Sequence, residues 1–237
     1  VGGAAVTEDL YPGFRCPTLA HAAGPLHPKV VHDLALHHHG VRLTEPKVRL
    51  FAPLPDHRAL VLHADPVRAA DSISAFSPRD SEQYLAFSEC LEEIGGVLRD
   101  FLWRTPPSTE HPTVGDVWQL LRAGQRFRRL GKQNGFRLLR WLAMPVADLV
   151  ADWFETDTLQ AIVAARGIYG MNLGPKSAGS GMAFLLQQAL GGHVLPTATT
   201  ARGGLGSLSE GLATAAQSVG VEIRTGTEVT QIDVQQG

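Results

Sequence analysis

The sequence predicts an α/β protein, α+β within the residues present, with a largely helical middle inserted between two parts of another body. Three observations carry that expectation. The chain opens on a Gly2-Gly3 turn. From Asp65 to Leu190 nearly every segment repeats apolar residues at the i, i+3, i+4 spacing of amphipathic helices. The final stretch then returns to a glycine loop, a helix and two β-prone runs, an order that reads as the edge of an α/β domain.

The elements follow in order. Residues 28–39 read as one helix, with Pro28 at the first turn, Val30, Val31 and Leu34 on one face and Gly40 as the stop. Residues 48–54 and 59–63 are short β-prone runs joined by Pro55-Asp56-His57-Arg58, a pattern that predicts a hairpin. Helix starts fall at Asp65-Pro66, Ser77-Pro78, Thr113 to Asp116 and Thr156-Asp157, where short oxygen-bearing side chains accept bonds from unpaired N–H groups. Along residues 82–103, Leu85, Cys90, Leu91, Ile94, Leu98, Phe101 and Leu102 form the expected core stripe. A helix carrying Leu208, Leu212, Ala215 and Ala216 follows Gly203-Gly204-Leu205-Gly206 and ends at Gly220, and strands are expected at 221–224 and 228–234.

Composition narrows the function. At 44% hydrophobic and 19% charged residues the 237-residue chain lies in the globular range, which excludes disorder. A formal net charge of −2 gives no global drive toward nucleic acid. Two cysteines, Cys16 and Cys90, are too few for a disulfide framework, and no apolar run has the length of a membrane span, so a reducing, cytoplasmic setting is expected. The Val1 start and the strand-like run broken at Gly237 read as a piece of a longer chain. Without a Gly-x-Ser-x-Gly elbow, a P-loop or a His-Glu-x-x-His motif, hydrolase and kinase chemistry lack support.

Three features are candidates for chemistry. The glycine run at 203–206 enters a helix, so its backbone N–H groups could approach a phosphate or a ring; a plain turn is the competing reading. His37, His38 and His39 diverge by about 100° per residue on a helix, so they should not share a metal ion, and no metal site is expected. Between Asp116 and Asp148 lies an uninterrupted basic run, Arg122, Arg126, Arg128, Arg129, Lys132, Arg137 and Arg140, with Phe127, Phe136 and Trp141 interleaved. It reads either as a peripheral membrane contact or as a solvated helical face.

Two separated segments resemble one family. Val1-Gly2-Gly3-Ala4-Ala5-Val6-Thr7-Glu8 with Pro12-Gly13-Phe14 resembles the stretch after the dinucleotide fingerprint in phytoene-desaturase-like FAD-dependent oxidoreductases, and Gly203 to Leu208 with residues 221–234 resembles their later return to the FAD domain. The nearest branch is that of the pyridine nucleotide-disulphide oxidoreductase domain-containing proteins, within the amine-oxidase-like flavoproteins. The resemblance implies a discontinuous, Rossmann-like FAD-binding domain at 1–40 and 196–237, with a substrate domain at 41–195. It also implies flavin accepting a hydride from a lipophilic or amine-like substrate.

By resemblance, Gly2 and Gly3 lie against the FAD phosphates with Thr7 supporting the turn, His21 runs beside the flavin, Gly203, Gly204 and Gly206 lie near the ring, and Val229 touches adenine. No catalytic acid or base is identified. The family's opening strand, Gly-x-Gly-x-x-Gly turn and ribose-holding acid would precede Val1, and its Gly-Asp segment would follow Gly237. The expectation is therefore a flavoenzyme parent and an inactive fragment. The alternative is a non-catalytic regulatory or membrane-surface protein that retains the fold.

Overall fold

The computed structural model describes residues 1–20, 23–24, 26–108, 110–191 and 199–234. The chain divides into two compact units, Val1–Glu45 with Ala198–Gly237, and Pro46–Thr197. The first opens with a 3-10 turn, Gly3–Ala5, and an antiparallel hairpin of β1 (Thr7–Tyr11) and β2 (Phe14–Pro17). Gly13 takes φ 86° in the Pro12-Gly13 connection, the positive φ that glycine supplies to a tight turn. The sequence reading lacks this hairpin, although Pro-Gly between two strand-like runs is its signal.

The single helix expected over 28–39 is broken in two. Helix α1 (Pro28–Asp33) gives way to a left-handed Ala35 at φ 45° and a 3-10 turn, Leu36–His39. A left-handed alanine costs about 1–2 kcal/mol. The break turns Leu36 to 0% exposure, and burial of a leucine contributes about 1.5–3 kcal/mol, enough to offset the strain. Val30 and Leu34, expected on the buried face, are exposed. The short strand β3 (Leu43–Thr44) follows.

In the second unit β4 (Val48–Pro53) and β5 (Ala59–His63) form the expected hairpin. Its turn is held by the Asp56 carboxylate, which accepts from the Arg58 backbone N–H at 3.1 Å and from Arg58 Nε at 2.7 Å; those bonds hold the Asp56 carboxyl below its ordinary range. Leu60 and Leu62 point into a helical core. That core is made by α2 (Pro66–Ser74), α3 (Pro78–Leu102), α5 (Gly131–Ala143), α6 (Val146–Ala151), α7 (Asp157–Ala164) and α8 (Ser180–Gly191), while α4 (Val114–Arg129) buries no residue. Asp65 and Ser77 cap their helices through the side chain as expected, and Thr113 with Asp116 forms a reciprocal capping box.

Two expectations about these helices are corrected. Thr156 makes no side-chain cap; Asp80 of α3, fully buried, accepts instead from the backbone N–H groups of Glu155 at 2.8 Å and Thr156 at 2.9 Å. On α3, Cys90, Leu91 and Ile94 are buried and Leu98 is partly buried as expected, but Leu85, Phe101 and Leu102 are exposed. Aromatic packing sets the phase of the stripe. Tyr84 and Phe87 turn inward, and the Phe87 ring meets Trp153 and Phe154 at centroid distances of 5.2 and 5.1 Å.

The chain then completes the first unit. Strand β6 (Thr200–Ala201) pairs antiparallel with β3, and α9 (Gly206–Ser218) sets Leu208, Leu212 and Ala215 against Leu36 and Val41. The strands expected at 221–224 and 228–234 do not form. A strand needs a neighbour for its N–H and C=O groups, and among the described residues none pairs with this segment, whose Val229, Ile232 and Val234 face solvent. The described strands make three two-stranded antiparallel ribbons. With helix predominating, the architecture is mixed and compatible with the α+β reading.

Candidate functional site

The first unit joins the two glycine-bearing segments. The backbone N–H of Gly206, at the first turn of α9, donates to Thr7 Oγ1 at 2.8 Å across 199 positions of sequence. Leu205, at the N-cap position, offers no side-chain acceptor, so Thr7 satisfies an orphan donor that α9 cannot satisfy locally. Ser209 Oγ donates to the Ala5 carbonyl at 3.1 Å, and Ser207 Oγ donates to the Gly204 carbonyl at 2.9 Å. Sequence reasoning missed both serines. Their signal was two hydroxyls in the first turn after a glycine run.

The glycines fall into two groups. A Cβ on Gly206 would stand 2.8 Å from Thr7 N, one on Gly204 would stand 2.7 Å from Thr7 Cγ2, and one on Gly2 would meet Ala5 O and Ser209 Oγ, both at 2.9 Å. Those three positions are glycine because the chain packs on itself there. At Gly204 and Gly206 the atoms that an added Cβ would meet are those of Thr7. Gly3 at φ 53° and Gly203 at φ 90° differ: both are exposed, and a Cβ on either would meet nothing within 4 Å. Open backbone of this kind can receive a phosphate or a flat ring closely. Gly3 and Gly203 thus leave backbone open to solvent, whereas Gly204, Gly206 and Thr7 brace the loop that presents Gly203.

Charge beside the loop is positive. Arg202 N donates to the Arg42 carbonyl at 2.9 Å, which continues the β3–β6 ribbon and sets two exposed arginines opposite one another next to Gly203. Like charges in that arrangement repel, and an anion between them would relieve the repulsion. Two site expectations remain. Val229 is 74% exposed in the unpaired segment, and His21 lies outside the described residues. The rings of His37 and His38 are 4.0 Å apart. Among the described residues no cluster of His, Cys, Asp and Glu has the makings of a metal site, and no helix is long and apolar enough to cross a membrane.

The fold and this cluster define a mixed α and β body in which two distant glycine segments interlock and leave backbone open beside paired cations. No protein-family model matches the chain. Over 249 residues it is 28% identical to pyridine nucleotide-disulfide oxidoreductase domain-containing protein 2 of Rattus norvegicus, covering 99% of this chain and 43% of that protein. The protein of the same name from Mus musculus is 28% identical over 250 residues, with the same shares covered. The chain thus spans less than half the length of these curated relatives.

Proposed function

We propose that this chain belongs to a FAD-dependent oxidoreductase of the desaturase or dehydrogenase type. In this reading Val1–Glu45 with Ala198–Gly237 contributes to the flavin-binding body, and Pro46–Thr197 is the substrate domain. The observation that carries the reading is the Gly206 to Thr7 bond, which sets the Gly2-Gly3 segment and the Gly203 loop in one structure. The similarity to the oxidoreductase-named relatives over nearly the whole chain supports it.

When bound, FAD would supply the hydride acceptor for a lipophilic or amine-like substrate carbon. The chain's own residues would bind and orient. Gly3 and Gly203 would offer backbone at close range, and Thr7, Ser207 and Ser209 would hold that backbone in place. Arg42 and Arg202 would face the phosphate charge.

The test is to purify the protein at its native length, release any bound ligand by denaturation and identify it by chromatography and absorbance. FAD approaching one per protein is expected. A folded protein free of flavin would overturn the reading and favour the non-catalytic alternative.

A further inference from the structure

We propose that the outer face of α4, continued by α5, docks this protein on an anionic lipid surface. On α4, Val114, Val117, Trp118 and Leu121 follow the i, i+3, i+4, i+7 spacing that gathers side chains on one side of a helix. All four are exposed, Trp118 at 60% and Val114 at 77%. The opposite stripe faces the protein: Gln119 Nε2 donates to the Thr105 carbonyl at 2.9 Å, and Arg126 forms an ion pair with Asp100. The apolar stripe is therefore turned away from the core and has no partner among the described residues.

Charge selects the occupant. Residues 117–147 hold seven basic residues and no acidic one. Three of the seven are engaged: Arg126 with Asp100, Arg140 with Asp152 at 2.8 Å, and Arg137 with Asn134 and over the Trp153 ring. Arg126, which the sequence reading grouped with the membrane-facing cations, thus points inward. Arg122, Arg128, Arg129 and Lys132 are exposed and form no ion pair among the described residues.

The helical phase puts Arg128 on the Val117 and Leu121 side and sets Arg122 and Arg129 beside Trp118. Gly131, at φ 71°, ends α4, and α5 repeats the combination with exposed Phe136 and Leu139 near Lys132. An apolar stripe with an indole, flanked by unpaired cations on two successive helices, matches the headgroup boundary of an anionic leaflet.

The test is co-sedimentation of the native-length protein with phosphatidylcholine vesicles, with and without phosphatidylserine, at low and high salt. Binding is expected only with phosphatidylserine and is expected to weaken with salt. Replacing Arg122, Arg128 and Arg129 together by alanine should lower the partition coefficient by about a hundredfold. Trp118→Ala with Leu121→Ala should also weaken binding at unchanged charge. Circular dichroism should show both variants folded, since the replaced side chains face outward. Failure of the wild type to sediment with phosphatidylserine vesicles at low salt would overturn the proposal. So would equal binding to neutral vesicles, or variants that bind like the wild type.

Discussion

Replacing Thr7 by valine isolates one atom of the interlock. Valine keeps the branched shape and puts a methyl where Oγ1 accepts the Gly206 N–H at 2.8 Å. Both residues are buried, Thr7 at 8% exposure, so water does not readily replace the lost acceptor. A buried donor left unpaired costs about 1–3 kcal/mol, and loss of a helix cap alone about 1 kcal/mol. All four tryptophans lie within Pro46–Thr197, so indole fluorescence reports on the other unit. Amide hydrogen exchange along α9 is the suitable assay, and protection there should fall by about ten- to a hundredfold.

Thr7→Ser keeps the oxygen and should retain most of the protection. Gly204→Ala should weaken the unit beyond the roughly 1 kcal/mol of a left-handed alanine, because its Cβ would crowd Thr7 Oγ1 and Cγ2. Combined with Thr7→Ala, which removes both crowded atoms, part of that loss should return as a coupling energy. Unchanged α9 protection in Thr7→Val, or strict additivity of the Gly204 and Thr7 changes, would mean that the Thr7 contact does not hold the loop.

Asp80→Ala removes the acceptor shared by the Glu155 and Thr156 N–H groups and should cost about 3 kcal/mol in urea denaturation followed by tryptophan fluorescence, with Asp80→Asn costing less. Burial pushes the Tyr84 phenol from 10.0 up to about 12. A folded-state value raised in this way means that the contribution of the neutral phenol is intact below pH 10 and is lost as pH rises toward 12. Tyr84→Phe should flatten the fall in melting temperature across that window. Burial also raises the Cys90 thiol, which donates to Asn134 Oδ1 at 3.3 Å. Iodoacetamide should therefore modify Cys16, which is partly exposed, well before Cys90 in the native protein, as read by mass spectrometry.

What the sequence made legible was local. Asp65, Ser77 and Thr113 reveal their helices because a cap acts within three residues, and the β4–β5 hairpin shows in two short β-prone runs around one turn. Where a distant residue decides, local pattern fails. Asp80 rather than Thr156 holds the backbone ahead of α7; the aromatic partners of Phe87 rotate the α3 stripe away from Leu85; and Leu36 breaks the 28–39 helix to reach a core shared with Ala215. The strands expected near Val229 failed for the same reason, since alternation alone supplies no partner. At the candidate site, glycine identity was legible but its cause was not. Gly203 and Gly204 look alike in sequence, yet one faces open space and the other faces Thr7.

If Gly203 receives the flavin and Gly204 does not, backbone protection should report the difference. Amide exchange of the native-length protein, with and without added FAD, reads backbone contact directly and needs no substitution at a positive-φ glycine. Segments 2–7 and 203–207 should gain protection together when FAD binds, with the gain centred on Gly3 and Gly203. FAD binding that leaves both segments unchanged, or protects only one of them, would contradict the flavin reading.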